Sequence, residues 1–434
     1  MIRSLRGLGL VSIFGVLVLF AAAARGEEKP AAAPPAAAAL SPEAEKAKAA
    51  FQTKFDQYKA AIHDIEAIQA KYQTADPATR KKLNEEMSGQ VAHTQSLVNA
   101  MVEAAEAAFR AAPNADPQIT EVLTAVAKHY VVGRQIGPGH PAQGGNPNDI
   151  FYPTDGGDQY ERGLPIVKLL NDGGTQNTEL YVWGFLCAYM TNDFDLAETY
   201  LTKIKETNAI EAIVMAARRS DKTDPQAGLN KNLEQLLESS IQNFDNYRRF
   251  WEKESAIRAA EAKADNLPRV KLTTSKGEIV IELFENEAPQ TVANFLTLVK
   301  QGFYNGSPYH RVLPMFMAQG GARTDDGQGG PGYTIKCECY GPDYRKHFRG
   351  TLSMAHAGRD TGNSQFFLTF VPTNHLNGKH TAFGRVIEGM EVLGDLQHRS
   401  TMHQTEPPKA DRIIKAEVIR DRGHEYKFEK VGGK

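Results

Sequence analysis

Tyr309-His310-Arg311-Val312-Leu313-Pro314-Met315-Phe316-Met317-Ala318-Gln319-Gly320-Gly321 is the stretch on which the reading of this chain turns. Taken one at a time, its residues say little. Phe316 and Met317 would be assigned to a core and Arg311 to a surface, where such residue types usually sit. His310, beside Arg311, could be mistaken for a general base and is read as structural. Three more blocks follow in order: Gly350-Thr351-Leu352-Ser353-Met354-Ala355, Gly362-Asn363-Ser364-Gln365-Phe366-Phe367 and Leu376-Asn377-Gly378-Lys379-His380-Thr381-Ala382-Phe383-Gly384.

Around these blocks the pattern is that of a sheet. Val270 to Thr274, a turn at Ser275-Lys276-Gly277, and Glu278 to Phe284 read as two strands joined by a Gly-containing turn. Pro289, Thr291, Val292, Phe295, Leu296 and Val299 give one helix facing that sheet, and a second helical stretch is expected near Val386 to Leu396. Many short strands, Gly-rich turns and two helices predict a closed antiparallel β-barrel capped by the helices.

The four blocks together resemble the cyclophilins, the cyclophilin-type peptidyl-prolyl cis-trans isomerases, over residues 269–421, about a third of the chain. The resemblance implies rotation about Xaa-Pro amides, a barrier of about 18–20 kcal/mol when unassisted. No bond is made or broken, so no nucleophile, metal or cofactor is expected. By the same resemblance Arg311 is the catalytic residue, donating to the prolyl nitrogen as it loses resonance, and Gln319 holds the guanidinium and touches the substrate backbone. Phe316, Met317, Phe367, Leu376 and His380 would wall the proline pocket. Ala355 and His356 would pair with the substrate main chain, and Gln365 would line the adjoining groove. Two positions depart from the pattern. His375 stands where many eukaryotic cyclophilins have a Trp that contributes to cyclosporin binding, so weak binding of that ligand is expected. His356 stands where Asn is common.

Upstream the chain reads as helical. Phe51, Phe55, Tyr58, Ile62, Ile65 and Tyr72 form one apolar stripe, and Leu83, Met87, Val91, Thr94, Val98, Met101 and Ala105 another. Asp76-Pro77 between them supplies an N-cap and a first-turn proline, which predicts an antiparallel helical hairpin in the region 42–132. A Gly/Pro-rich connection follows over 133–158. Region 159–264 is again helical, with two segments broken at Thr191-Asn192-Asp193 and a last helix over roughly 229–264. Tyr181, Gly184, Ala188, Ala197 and Leu201 loosely resemble a tetratricopeptide-type helix pair. Pro268 marks the boundary to the sheet, and 422–434 reads as a tail.

The first residues carry Arg3 and Arg6, an apolar run from Leu8 to Ala24, and small residues at Ala24 and Gly26. This is the pattern of a secretory signal peptide over 1–26, and the run also reaches the lower limit for an uncleaved anchor. An Ala/Pro-rich linker spans 27–41. An exported chain, periplasmic or extracellular, is expected, with membrane contact only if Leu8–Ala24 stays attached. A net charge of −2 excludes a global field for nucleic acid. Cys187, Cys337 and Cys339 cannot build a disulfide framework, and no second pair completes a metal site. The expected partners are proline-containing polypeptides, with a protein partner for the helical region. Two other readings stay open from sequence: a non-catalytic scaffold that binds proline segments, and a helical chaperone.

Overall fold

The computed structural model describes residues 40–133, 156–211, 227–400 and 407–433. The expected signal segment, nearly all of the Ala/Pro-rich linker and most of the 133–158 connection lie outside the described residues. No helix among the described residues is long and apolar enough to cross a membrane.

Three helices open the described chain, and each starts by one device. α1 (Pro42–Thr74), α2 (Pro77–Ala111) and α3 (Pro117–Val131) begin with proline, whose missing N–H costs nothing in a first turn. Ser41, Asp76 and Asp116 cap them by accepting main-chain N–H bonds. The two-residue link Ala75-Asp76 turns α2 back on α1 as the expected hairpin, with Phe51, Tyr58 and Ile65 buried from one side and Leu83, Val98 and Met101 from the other. Neither apolar stripe reaches α3, although Asp116-Pro117 repeats the Asp76-Pro77 signal.

α4 (Tyr160–Asp172), α5 (Glu179–Met190) and α6 (Phe194–Thr207) follow. α5 is buried over nearly its whole circumference, and Gly184 lets the Tyr200 ring of α6 pack against its backbone, where a Cβ would stand 2.6 Å from that ring. The single last helix expected over 229–264 is instead two, α7 (Ala227–Gln242) and α8 (Phe244–Ala264). Asn243 breaks them: its side-chain amide donates to the Ser239 carbonyl at 2.8 Å, and its ψ of 8° leaves the helical range.

The C-terminal part is an eight-stranded antiparallel sheet. Its strands are β1 (Arg269–Thr274), β2 (Gly277–Leu283), β3 (Arg311–Leu313), β4 (Met317–Gly320), β6 (Thr351–Met354), β7 (Phe366–Thr369), β8 (Ala382–Glu388) and β9 (Ile413–Arg420), ordered β3-β4-β7-β6-β8-β2-β1-β9. No ladder joins the end strands β3 and β9; single bridges, Pro308 with Arg412 and Val312 with Arg399, lie between the two ends. α9 (Pro289–Lys300) packs Phe295 edge-on to Phe366 and Phe383. The helical stretch expected near Val386 to Leu396 is shorter: β8 runs on to Glu388, and α10 covers only Met390–Gly394. Gly389, at φ 84°, makes the switch. Within the expected 422–434 tail, β10 (Val431–Gly433) pairs with β5 (Tyr333–Thr334).

Helices and sheet share one contiguous buried apolar cluster. Tyr247 and Trp251 of α8 set their rings edge-on to Phe348, and the Tyr247 hydroxyl donates to the His347 carbonyl at 2.6 Å. The sheet is therefore docked on the helical body, not strung from it by the short 265–268 link.

Candidate active site

Sheet register builds the site. Arg311 on β3 is paired with Gln319 on β4, Gln319 with Phe367 on β7, and Phe367 with Ser353 on β6. Paired residues in adjacent strands point to one face, so this row aims a cation, an amide and an aromatic ring at the same side. Met317, two residues before Gln319, shares the face.

All ten residues named from sequence line one cleft of about 430 Å³: Arg311, Phe316, Met317, Gln319, Ala355, His356, Gln365, Phe367, Leu376 and His380. Ala357, Thr361 and Asn363 line it as well and were not singled out. Asn363 stands inside the third sequence block, which was the available signal. It shapes the rim locally, accepting from the Ser364 N–H through its own side chain.

Arg311 is half-buried, and its Nε is buried without a hydrogen-bond partner among the described residues. Burial holds its pKa below the usual guanidinium value, which still leaves it cationic. The guanidinium carbon lies 5.9 Å from the Phe316 ring centre, and that ring stacks on His375 at 5.7 Å. Gln319 does not hold the guanidinium as expected. Its amide donates instead to Gln365 Oε1 at 3.0 Å, and Gln365 donates onward to the Gly327 carbonyl at 2.9 Å. The Ala355 N–H is likewise committed, to the Gln365 carbonyl at 2.9 Å, so a main-chain contact from Ala355 to a bound chain falls to its carbonyl.

His380 and His356 stack face to face, their ring centres 4.0 Å apart. His380 Nδ1 donates to the Met354 carbonyl and His356 Nε2 to the Lys379 carbonyl, since carbonyl oxygens only accept. Burial lowers the His380 pKa, and the neighbouring His356 adds to that. The pocket floor, Phe367, meets the His380 ring edge-on at 5.5 Å. Behind it lies His347, which sequence reasoning missed, hydrogen-bonded to Asn377 and Ser353 and pushed by burial to a pKa of about 4. His310, expected to be structural, is buried with its pKa lowered to about 4, chiefly by burial. Among the described residues no group of three or more His, Cys, Asp or Glu side chains could hold a metal ion.

Residues 269–418 match the model of the family described as cyclophilin type peptidyl-prolyl cis-trans isomerase/CLD. A peptidyl-prolyl cis-trans isomerase of Helicobacter pylori (strain ATCC 700392 / 26695) is 51% identical over 147 residues, covering 32% of this chain and 89% of that protein. The chain belongs to the cyclophilin family. Peptidyl-prolyl cis-trans isomerase B of Bacillus subtilis is 50% identical over 127 residues, 29% of this chain and 88% of that one. Among solved structures, a Cryptosporidium parvum cyclophilin crystallised in the presence of the dipeptide Ala-Pro is 32% identical, with a TM-score of 0.33, covering 35% of this chain and 99% of its own. By its family model and its relatives, the C-terminal sheet is a cyclophilin-type peptidyl-prolyl cis-trans isomerase domain. The family model does not extend to α1–α8.

Proposed function

We propose that the chain is an exported prolyl isomerase that acts on Xaa-Pro bonds of exported polypeptides and assists their folding, with Arg311 as its catalytic residue. The observation that carries the reading is Arg311 itself: a half-buried cation whose Nε has no partner among the described residues, on the wall of a cleft that also carries Phe316, Met317, Phe367 and Leu376. Such a cation is better satisfied when a ligand brings an acceptor into the cleft.

The mechanism follows from the wall chemistry. Phe316, Met317, Phe367 and Leu376 offer an apolar slot for a pyrrolidine ring, which has no polar group to satisfy. With the ring held, the acyl carbon and its oxygen rotate about the C–N bond. As the amide loses planarity, its nitrogen recovers a lone pair and becomes an acceptor, and Arg311 donates to it. That bond is stronger in the twisted amide than in the planar one, so it lowers the barrier and not merely the free energy of binding. Gln365, Ala355 and His356 border the groove where the chain preceding the proline would run. His380, neutral and committed through Nδ1, serves as a wall and not as an acid. The helical body carries the isomerase as a fixed attachment and is the surface for a protein partner or client.

An isomerisation assay on a Xaa-Pro peptide, comparing the purified chain with Arg311→Ala, tests the catalytic part. Loss of about a hundredfold or more in kcat/KM with an unchanged circular dichroism spectrum is the expected result. Equal turnover by the two proteins would remove Arg311 from the mechanism. For export, N-terminal sequencing of the product from secreting cells is expected to begin at Glu27; an intact N-terminus in the membrane fraction would indicate an anchor instead.

A further inference from the structure

A line of contacts leads from the helical body into the pocket, and it starts at Asp158. Gly156 and Gly157 lie at φ 65° and 76° and press the chain against the end of α3. The Gly157 N–H donates to the His129 carbonyl at 2.7 Å, and a Cβ on Gly156 would stand 2.4 Å from the His129 ring. Only glycine fits so close an approach at positive φ. Asp158, next in the chain, is 1% exposed. Its Oδ2 accepts from the Met315 N–H at 2.8 Å, and its Oδ1 accepts from the Tyr160 hydroxyl at 3.1 Å.

Met315 is no ordinary neighbour. It sits at φ 56°, a left-handed conformation that a residue with a long side chain rarely adopts unless its surroundings impose it. It lies in the turn between β3, which carries Arg311, and β4, which carries Met317 and Gln319, immediately before Phe316. A second strand of contacts braces the same turn. Arg349 donates to the Asp158 carbonyl, to Glu161 and to the Phe370 carbonyl, while the Phe370 N–H donates to the Phe316 carbonyl at 3.0 Å.

We propose that Asp158, which lies outside the isomerase domain, is a positioning residue of the active site: its carboxylate holds the Met315 amide, keeps the β3–β4 turn left-handed, and thereby fixes Phe316 and the strand bearing Arg311. The inference rests on the reading of the pocket as a prolyl-isomerase site. Its consequence is that the helical body completes the enzyme, since the acceptor for the Met315 amide comes from the segment leading into α4. Burial raises the Asp158 pKa and is opposed by the Met315 N–H and Arg349; the bond to Met315 needs only an acceptor oxygen, which the acid and an amide both provide.

Asp158→Asn and Asp158→Ala separate positioning from mere packing. In the asparagine variant Oδ1 still accepts from Met315, and the amide nitrogen donates to the Tyr160 oxygen. Its kcat/KM should stay within about twofold of the parent, while the alanine variant should lose about tenfold or more, mainly in kcat. Hydrogen exchange at the Met315 amide should quicken in the alanine variant alone. Wild-type turnover by a folded alanine variant, or equal losses in both variants, would overturn the proposal. Should the alanine variant fail to fold, Asp158→Glu, whose carboxylate is carried one methylene away from its place, decides: reduced kcat supports the proposal and unchanged kcat overturns it. The parent and Arg311→Ala are measured alongside. An inactive parent would mean that the pocket reading has failed, whereas an active parent with an equally active alanine variant would remove Asp158 only.

Discussion

Arg345 of the isomerase domain and Glu261 of α8 are ion-paired at 2.5 Å, with side chains 2% and 7% exposed. Arg345 also grips Glu254 through two nitrogens at 2.8 and 3.0 Å, and Glu261 also binds Arg385, which binds Glu282. Burial alone would depress the Arg345 pKa, but the Glu254 and Glu261 carboxylates raise it above its ordinary value. Such a network is a weak source of net stability, yet breaking it strands a buried charge. Glu261→Ala removes a carboxylate from two arginines at once. It should lower stability by about 3–5 kcal/mol, read as a shift of the urea midpoint. Because α8 and the sheet share this network, fluorescence and circular dichroism should move together; separate transitions would show that the two parts unfold independently.

The pocket was legible from sequence because its chemistry is concentrated in four short blocks: nine of the ten named residues lie in them, His356 directly follows the second, and all ten line the cleft. What held those residues in place was not legible. Asp158 meets Met315 across 157 positions, and Arg345 meets Glu261 across 84. Neither meeting leaves a local periodicity, and Asp158 sits in a Gly-rich stretch that reads as a connection. Gln319 was assigned to Arg311 by the family resemblance, but its register sets it beside β7, and its amide turned to Gln365. Helix ends failed for local reasons: Asn243 divides a run that composition reads as one helix, and Gly389 delays α10.

His347 makes stability depend on pH. The folded value is about 4 because burial disfavours the charged ring, whereas the unfolded chain has the ordinary value near 6.5. On acidification the unfolded state therefore takes up the proton first. This contribution is whole above about pH 6.5, is lost as the pH falls from there to about 4, and levels off below. Its size is about 3 kcal/mol, at roughly 1.4 kcal/mol for each tenfold difference in proton affinity between the two states. His310, also near 4, acts in the same window and the same direction. His347→Gln should flatten the denaturation midpoint across pH 6.5 to 4 relative to the parent. An unchanged slope would show that His347 is charged in the fold.

Gly389 is fixed by backbone, not by packing of side chains. At φ 84° it lies where a Cβ would come 2.2 Å from the Glu278 carbonyl oxygen. Relief would have to come from β2 itself, since that oxygen belongs to its main chain. Gly389→Ala should cost about 1–3 kcal/mol, seen as a lower thermal midpoint, while kcat/KM of the remaining folded protein stays unchanged because the cleft is on other strands.

Gln319 offers a decision between two pictures of the active site. If it held the Arg311 guanidinium, the variants Gln319→Ala and Arg311→Ala would be coupled, and losing one would blunt the effect of losing the other. In the structure the amide of Gln319 is bonded to Gln365, and Gln365 is bonded to the Gly327 carbonyl. Removing Gln319 takes the donor from Gln365 Oε1, and removing Gln365 takes the acceptor from the Gln319 amide, so these two should be non-additive by about 1 kcal/mol in a double-mutant cycle on kcat/KM. Gln319 with Arg311 should be additive within about 0.5 kcal/mol. The single Gln319→Ala variant should act mainly on KM, because the pair shapes the groove wall while Arg311 keeps its unpaired donor. Strong coupling to Arg311 with none to Gln365 would mean that the amide turns to the guanidinium once substrate is bound.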